Sequence, residues 1–171
     1  MTASGIRRLI LTRHAKSAWE DPVIGDHDRP LNGRGRRAAK ALGDWLASRG
    51  YDPEEVLCST SRRTQETWEG IESAVLETRP VLRLERGLYQ ASADQMLTVL
   101  RTATLNTVMM IGHNPGIGAL AAMLPARPPM DPDFRRFPTA ATLVVDFTAD
   151  SWANIRPGEG DLRDFVRLDV R

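Results

Sequence analysis

Short apolar runs of strand length recur along this chain, and helical periodicity follows most of them. Arg8 to Thr12 stops at Arg13-His14, and Val56-Leu57-Cys58 runs into Ser59-Thr60-Ser61. Pro80 to Leu84 follows, and Thr107 to Ile111 is broken by Gly112-His113-Asn114-Pro115-Gly116. Runs this short read as buried strands. From Gly35, Ala38, Leu42, Trp45 and Leu46 fall on one helical face with Arg36, Arg37, Lys40 and Asp44 elsewhere, and Gly50 ends the pattern. Trp68, Ile71 and Val75 share a face behind Thr60 or Ser61 as N-cap. Ser92 to Gln95 fits a capping box that opens a helix with Met96, Val99 and Leu100, and an Ala/Leu-rich helix runs to Leu124. Strand–helix alternation of this kind implies an α/β fold, a three-layer α/β/α sandwich around a mostly parallel central sheet. Ala15 to Arg34 and the Pro-rich Pro125 to Pro138 read as loops. Thr142 to Phe147 with Trp152 to Arg156 reads as a closing hairpin, and Phe165 to Val170 as a last strand.

Composition narrows the class. The 171 residues suit a single domain spanning 1–171, long enough to bury about 70% of the surface its unfolded chain exposes. A net charge of +1 argues against a nucleic-acid partner held by bulk charge, while leaving room for a local basic pocket. One Cys permits no internal disulfide, and three His with that Cys would all be needed for a His/Cys zinc site, so no metal and no cofactor is expected. Leu9-Ile10-Leu11 is too short for a signal-peptide core and is hemmed in by Arg7, Arg8 and Arg13. No stretch approaches the roughly 18 apolar residues of a membrane span, so a cytoplasmic protein with no membrane partner is expected.

In parallel α/β folds, ligands sit where strands end and helices begin. A parallel sheet would gather Arg13-His14, Ser59 to Arg62 and Gly112-His113 on one edge. Two imidazoles, two guanidinium groups and nearby helix N-termini describe a site for a tetrahedral dianion. Arginine grips two phosphoryl oxygens at once, and a neutral imidazole is a competent nucleophile toward phosphorus. A second, protonated His would stabilise charge spreading onto the oxygens.

Four segments carry a resemblance in the same order. They are Leu11-Thr12-Arg13-His14-Ala15-Lys16-Ser17, Asp28-Arg29-Pro30-Leu31-Asn32-Gly33-Arg34-Gly35, Ser59-Thr60-Ser61-Arg62-Arg63-Thr64-Gln65-Glu66-Thr67, and Ile111-Gly112-His113-Asn114-Pro115-Gly116. Together they resemble the Arg-His-Gly signature set of the histidine phosphatase superfamily, with Ala15 where Gly is usual. The details, including the Leu88-Tyr89 pair, resemble its SixA-like phosphohistidine phosphatase branch. The resemblance spans about Leu9 to Phe147 and implies a phosphoglycerate-mutase-like fold. It implies His14 as nucleophile, Arg13 and Arg62 as phosphoryl ligands, and His113 as second catalytic imidazole. Adjacent helical residues point about 100° apart, so only one of Arg62 and Arg63 should face the site. Arg62 matches the family pattern better, with Thr64 and Thr67 turned inward behind it, and Ser17 is a further candidate for the phosphate.

One departure carries chemistry. Larger members of the superfamily place a Glu as general acid where Leu88-Tyr89 leads here to Gln90, and Gln cannot donate a proton. Glu85, Asp21 and Asp28 are the other candidates for an acid. A site without one should favour P–N bonds, anhydrides and activated aryl phosphates, because an alkoxide needs a proton to leave and imidazole leaves more readily. The expected activity is metal-independent hydrolysis through a phosphohistidine on His14, falling at acid pH as that ring is protonated. The expected substrate is phosphohistidine on a protein, with inorganic phosphate as product. The alternatives are a small-molecule phosphomonoester phosphatase acting on a small phosphorylated substrate, and a non-catalytic phosphate or phosphopeptide-binding module. Simpler roles are expected elsewhere. His27 reads as solvent-facing, Cys58 as inert core, and Trp45, Trp68 and Trp152 as core. Arg34, Arg36 and Arg37 read as a solvated helix face, with docking of an acidic partner as the other possibility, and Trp19 could line the pocket entrance.

Overall fold

A computed structural model describes residues 5–19 and 21–168, with the backbone alone of Leu76. Strand β1 (Gly5–Arg13) leads through a loop to helix α1 (Gly33–Ser48). Then come β2 (Glu55–Ser59), α2 (Arg62–Glu72), β3 (Val81–Glu85), α3 (Ala93–Leu100), β4 (Thr107–Gly112), α4 (Gly116–Met123), β5 (Thr142–Ala149) and β6 (Asp161–Val166). They build a six-stranded sheet of order β3-β2-β4-β1-β5-β6. The β1–β4, β4–β2 and β2–β3 pairs are parallel, and β5 and β6 add an antiparallel edge.

The apolar runs are continuous because the central strands are covered on both faces. Leu9, Leu11, Leu57, Val108 and Met110 join a core with Met96 of α3 and Ile117 and Leu120 of α4. Their neighbours Ile10, Val56, Cys58, Met109 and Ile111 point the other way, onto Leu42 and Leu46 of α1 and Trp68 and Ile71 of α2. The period of two along each strand thus assigns one helix pair to each face.

Helix α1 begins two residues before Gly35, because the Asn32 side chain caps it by accepting from Gly35 N–H at 2.8 Å. Gly35 is required by contact: a Cβ there would lie 2.0 Å from the carbonyl oxygen of Lys16. That close approach lets the first turn of α1 seat against the loop leaving β1. Gly50, at φ +71°, follows the helix end as expected. Ser61 caps α2 by accepting from Thr64 N–H, and Ser92 and Gln95 complete the capping box of α3.

The closing hairpin differs from expectation. β5 pairs with Asp161–Val166, and Trp152 to Asn154 form a 3-10 turn. The Trp152 ring is buried against Phe147, and its Nε1–H donates to the Leu105 carbonyl at 2.5 Å. Trp152 and Ile155 therefore anchor a turn to the core instead of alternating along a strand. The expected last strand is shifted toward the N-terminus, and Val170, its expected end, lies outside the described residues. Trp68 and Trp152 are core, while Trp45 is partly buried at its margin. Cys58 is fully buried, and burial pushes its thiol up to about 12. No described helix is long and apolar enough to cross a membrane.

Candidate active site

Register fixes what meets at the sheet edge. Arg13 stands opposite Gly112, and Cys58 stands opposite Ile111. The residues that follow these three neighbouring parallel strands therefore emerge side by side. His14 and His113 arrive with ring centroids 5.3 Å apart and planes tilted by 52°. Both line a cavity of about 270 Å³ together with Arg13, Arg29 and Arg63. Ser17, Trp19 and Asn114 also reach it, and no carboxylate lines it among the described residues.

Each imidazole has an assignable tautomer. His14 Nδ1 lies 2.7 Å from the Ala15 carbonyl oxygen, which can only accept, so Nδ1 carries the hydrogen and Nε2 keeps a lone pair. The loop is held rigidly: His14 N–H donates to the Gly112 carbonyl, and Ala15 N–H donates to Thr67 Oγ1 at 2.9 Å. Burial pushes His14 down to about 3, with His113, Arg13 and Arg63 adding to the effect and the Ala15 bond opposing it. The ring is neutral at any ordinary pH. Protonation of this ring in the anion-free protein therefore belongs near pH 3, well below the ordinary imidazole range expected from the sequence.

His113 also differs from the protonated group expected. Arg63 Nη2 donates to its Nδ1 at 3.3 Å, so Nε2 carries the hydrogen and faces Ser59 Oγ at 2.8 Å. Burial and the Arg63 charge hold His113 down at about 4. A dianion in the cavity would reverse that sign, because a nearby negative charge favours imidazolium.

The arginine from α2 is Arg63, and Arg62 is corrected. Arg62 is exposed and pairs with Glu66 one turn on, at 2.8 Å, while Arg63 is buried beside His113. Helical phase decides this. Arg63, Thr67 and Ile71 lie on one stripe and are all buried, whereas Arg62 shares its side with Glu66 and Glu69. That stripe was present in the sequence and outweighs the motif alignment. Thr64 and Thr67 are fully buried behind it, as expected.

Sequence reasoning also missed Asp26 and Arg29. Asp26 Oδ2 takes a hydrogen bond from the Tyr89 hydroxyl at 2.5 Å and an ion pair from Arg63 at 3.1 Å. Its other oxygen pairs with Arg29 at 3.0 Å, and its backbone carbonyl accepts from Arg63 Nη1 at 2.7 Å. One carboxylate thus aligns two cavity arginines, and the Tyr89 bond with both guanidinium groups holds it well below the usual carboxylate range. Arg29 donates to Ser17 Oγ, which fixes that hydroxyl at the cavity wall, and its guanidinium stacks 3.5 Å from the Trp19 ring centroid. The Nε atoms of Arg13, Arg29 and Arg63 are buried without a hydrogen-bond partner. The signal for both residues lay in the Asp26-to-Leu31 segment, whose cation and carboxylate only acquire partners when the loop folds onto α2.

The three acid candidates lie elsewhere. Glu85 pairs with Arg83 at 2.7 Å, Asp21 accepts from Val23 N–H within its own loop, and Asp28 is exposed beside His27. None lines the cavity. His27 is not simply solvent-facing: Nε2 meets Thr60 Oγ1 at 3.0 Å, and the ring packs edge-on to Tyr89. No cluster of three or more His, Cys, Asp or Glu of metal-binding geometry occurs among the described residues.

Comparison with known proteins agrees with this geometry. The family model of the Histidine phosphatase superfamily (branch 1) matches residues 9–88. An uncharacterized protein of Mycobacterium tuberculosis is 35% identical over 155 residues, covering 85% of this chain and 92% of its own. The solved structure of the protein assigned as phosphohistidine phosphatase SixA from Nakamurella multipartitia superposes with a TM-score of 0.80 at 29% identity, covering 97% of this chain and 98% of that one. The corresponding SixA protein from Agrobacterium tumefaciens gives 0.76 at 29% identity, covering 95% and 98%. The chain belongs to the histidine phosphatase superfamily, in its SixA-like branch with the phosphoglycerate-mutase-like fold, and is a phosphatase.

Proposed function

We propose that this protein removes the phosphoryl group from phosphohistidine on a protein substrate, through a phosphoryl intermediate on His14 and without a metal. The observation that carries this reading is the fixed tautomer of His14, whose Nδ1–H is committed to Ala15 and whose unprotonated Nε2 belongs to a ring lining a guanidinium-rich cavity. Nε2 attacks the phosphorus of a phosphohistidine whose other ring nitrogen carries a proton, and the P–N bond breaks with its electron pair passing to the substrate ring, which leaves as neutral imidazole. Water then attacks the phosphoryl-His14, the P–Nε2 bond returns its pair to the ring, and inorganic phosphate leaves. Arg13 and Arg63 hold the equatorial oxygens throughout, and Arg29 fixes Ser17 beside them.

No carboxylic acid lines the cavity among the described residues, which supports the P–N preference. Asp26 is ion-paired and held ionised, and Glu85, Asp21 and Asp28 lie outside the cavity. An alkoxide would leave unprotonated, whereas a phosphohistidine ring protonated on its other nitrogen brings its own proton and leaves as neutral imidazole. Metal independence is supported by the donor set, because the guanidinium groups of Arg13, Arg29 and Arg63 supply the positive charge a metal would otherwise provide. The test is a substrate panel at fixed pH with and without EDTA. The expected result is kcat/KM on a phosphohistidine peptide far above that on phosphoserine or alkyl phosphates, unchanged by EDTA. Comparable rates on phosphohistidine and alkyl phosphates would overturn the substrate assignment.

A further inference from the structure

Beside the phosphoryl cavity lies a second one of about 330 Å³, sharing Lys16 and Thr139 with it. Its other charged walls are Arg34, Arg136, Arg167 and Asp133, so among the described lining residues cations outnumber carboxylates, with Asp131 also reaching Arg167. The chain as a whole carries only +1, so this is a local concentration of charge and not a bulk property. Arg34, Arg136 and Arg167 do not line the phosphoryl cavity and have no part in the transfer chemistry described above.

The two cavities are also tied together mechanically. Asn114 lines the phosphoryl cavity, and its Nδ2 donates to the backbone carbonyls of Arg136 at 3.0 Å and Phe137 at 3.1 Å. Arg13 donates to the same Phe137 carbonyl at 3.3 Å. The backbone of Arg136 and Phe137 is therefore fastened to Asn114, the neighbour of His113, and to Arg13, the neighbour of His14. On the far wall, Arg167 is braced by Asp131 at 3.3 Å and Asp133 at 2.9 Å. Arg136 is more loosely placed, with Asp133 at 3.8 Å and most of its side chain in solvent, so its charge is available to an incoming group.

We propose that this second cavity takes a carboxylate or phosphate group carried by the same substrate as the transferred phosphoryl, so that the enzyme selects doubly anionic substrates. The proposal rests on the phosphatase reading of the neighbouring site. The second anion can be an acidic side chain beside the phosphohistidine of a protein or an acid group on a small phosphorylated molecule, and the test separates these sources.

Two matched pairs serve as probes: phosphohistidine peptides with Glu or Gln beside the phosphorylated residue, and 4-carboxyphenyl phosphate against phenyl phosphate. For the wild type, the acid-bearing member of at least one pair is expected to show about tenfold higher kcat/KM, mainly through KM, with the advantage shrinking as salt is added. In Arg136→Glu, the acid-to-neutral ratio falls to one or below. An advantage confined to the peptide pair assigns the anion to a protein side chain, and one in the aryl pair shows that a small acid suffices. Affinities of non-hydrolysable phosphonate versions for His14→Ala, measured by calorimetry, give the same ratios without turnover. Loss of the transfer reading would therefore be seen separately from loss of the subsite. Absence of any acid preference in both pairs, by turnover and by binding, overturns the proposal. So does an Arg136→Glu variant that weakens both members of each pair equally.

Discussion

Arg62 and Arg63 are neighbours of identical chemistry, and their alanine variants should differ by about two orders of magnitude. Arg63 lies buried between Asp26 and His113, with a guanidinium lining the cavity. Removing one preorganised donor group aimed at developing charge costs about 10²–10³ in rate, or roughly 3–4 kcal/mol. Arg63→Ala is therefore expected to lower kcat/KM by that factor. Arg63→Lys should recover only part of it, because a point charge cannot reproduce a planar fork. Arg62 is half exposed and engaged with Glu66, an i,i+4 pair worth roughly 0.3–0.5 kcal/mol. Arg62→Ala should leave kcat/KM within about threefold of wild type, since no group near the imidazoles is lost. The assay is steady-state hydrolysis of an aryl phosphate and a phosphohistidine peptide, with thermal melts confirming that both variants are folded. Equal damage from the two substitutions, or Arg63→Ala within a few-fold of wild type, would refute the placement of α2.

Other consequences are equally direct. Asp26→Asn removes the charge that aligns Arg63 and Arg29, and is expected to reduce kcat/KM about tenfold with a smaller effect on Tm, because Asp26 is half exposed. Tyr89→Phe, which removes one bond to that carboxylate, should have a milder effect in the same direction. The folded protein holds His14 down at about 3 and His113 at about 4, whereas the unfolded chain protonates both near 6.5. Below pH 6.5 the unfolded state therefore binds more protons. Stability present above that pH is lost on acidification toward 4, at up to ~1.4 kcal/mol per pH unit for each imidazole. Urea titrations at pH 7.5, 6 and 5 check this, and a flat profile contradicts it. Cys58, buried with its thiol raised to about 12, should resist thiol reagents until the protein unfolds.

The sheet was readable because each central strand is buried on both faces and appears as an unbroken apolar run. His14 and His113 were readable because they directly follow two such strands. On α2 the motif pattern points to Arg62 while helical phase points to Arg63, and the buried stripe marked by Thr67 and Ile71 decides for Arg63. Asp26 and Arg29 acquire meaning only through long-range partners, namely Arg63, Tyr89 and Ser17, which no local periodicity announces. Trp152 shows the reverse error. An apolar pattern suited to a strand instead anchors a turn, because the indole N–H finds a carbonyl from the segment before β4.

The central claim is that the His14 imidazole carries the phosphoryl group between substrate and water. Rapid acid-free quenching of the enzyme with a ³²P-labelled phosphohistidine peptide tests it, followed by mapping of the acid-labile label. Label on His14 that forms before phosphate is released and is absent in His14→Ala is the predicted result. Full turnover by His14→Ala, or phosphate release with no label ever on that ring, would contradict it.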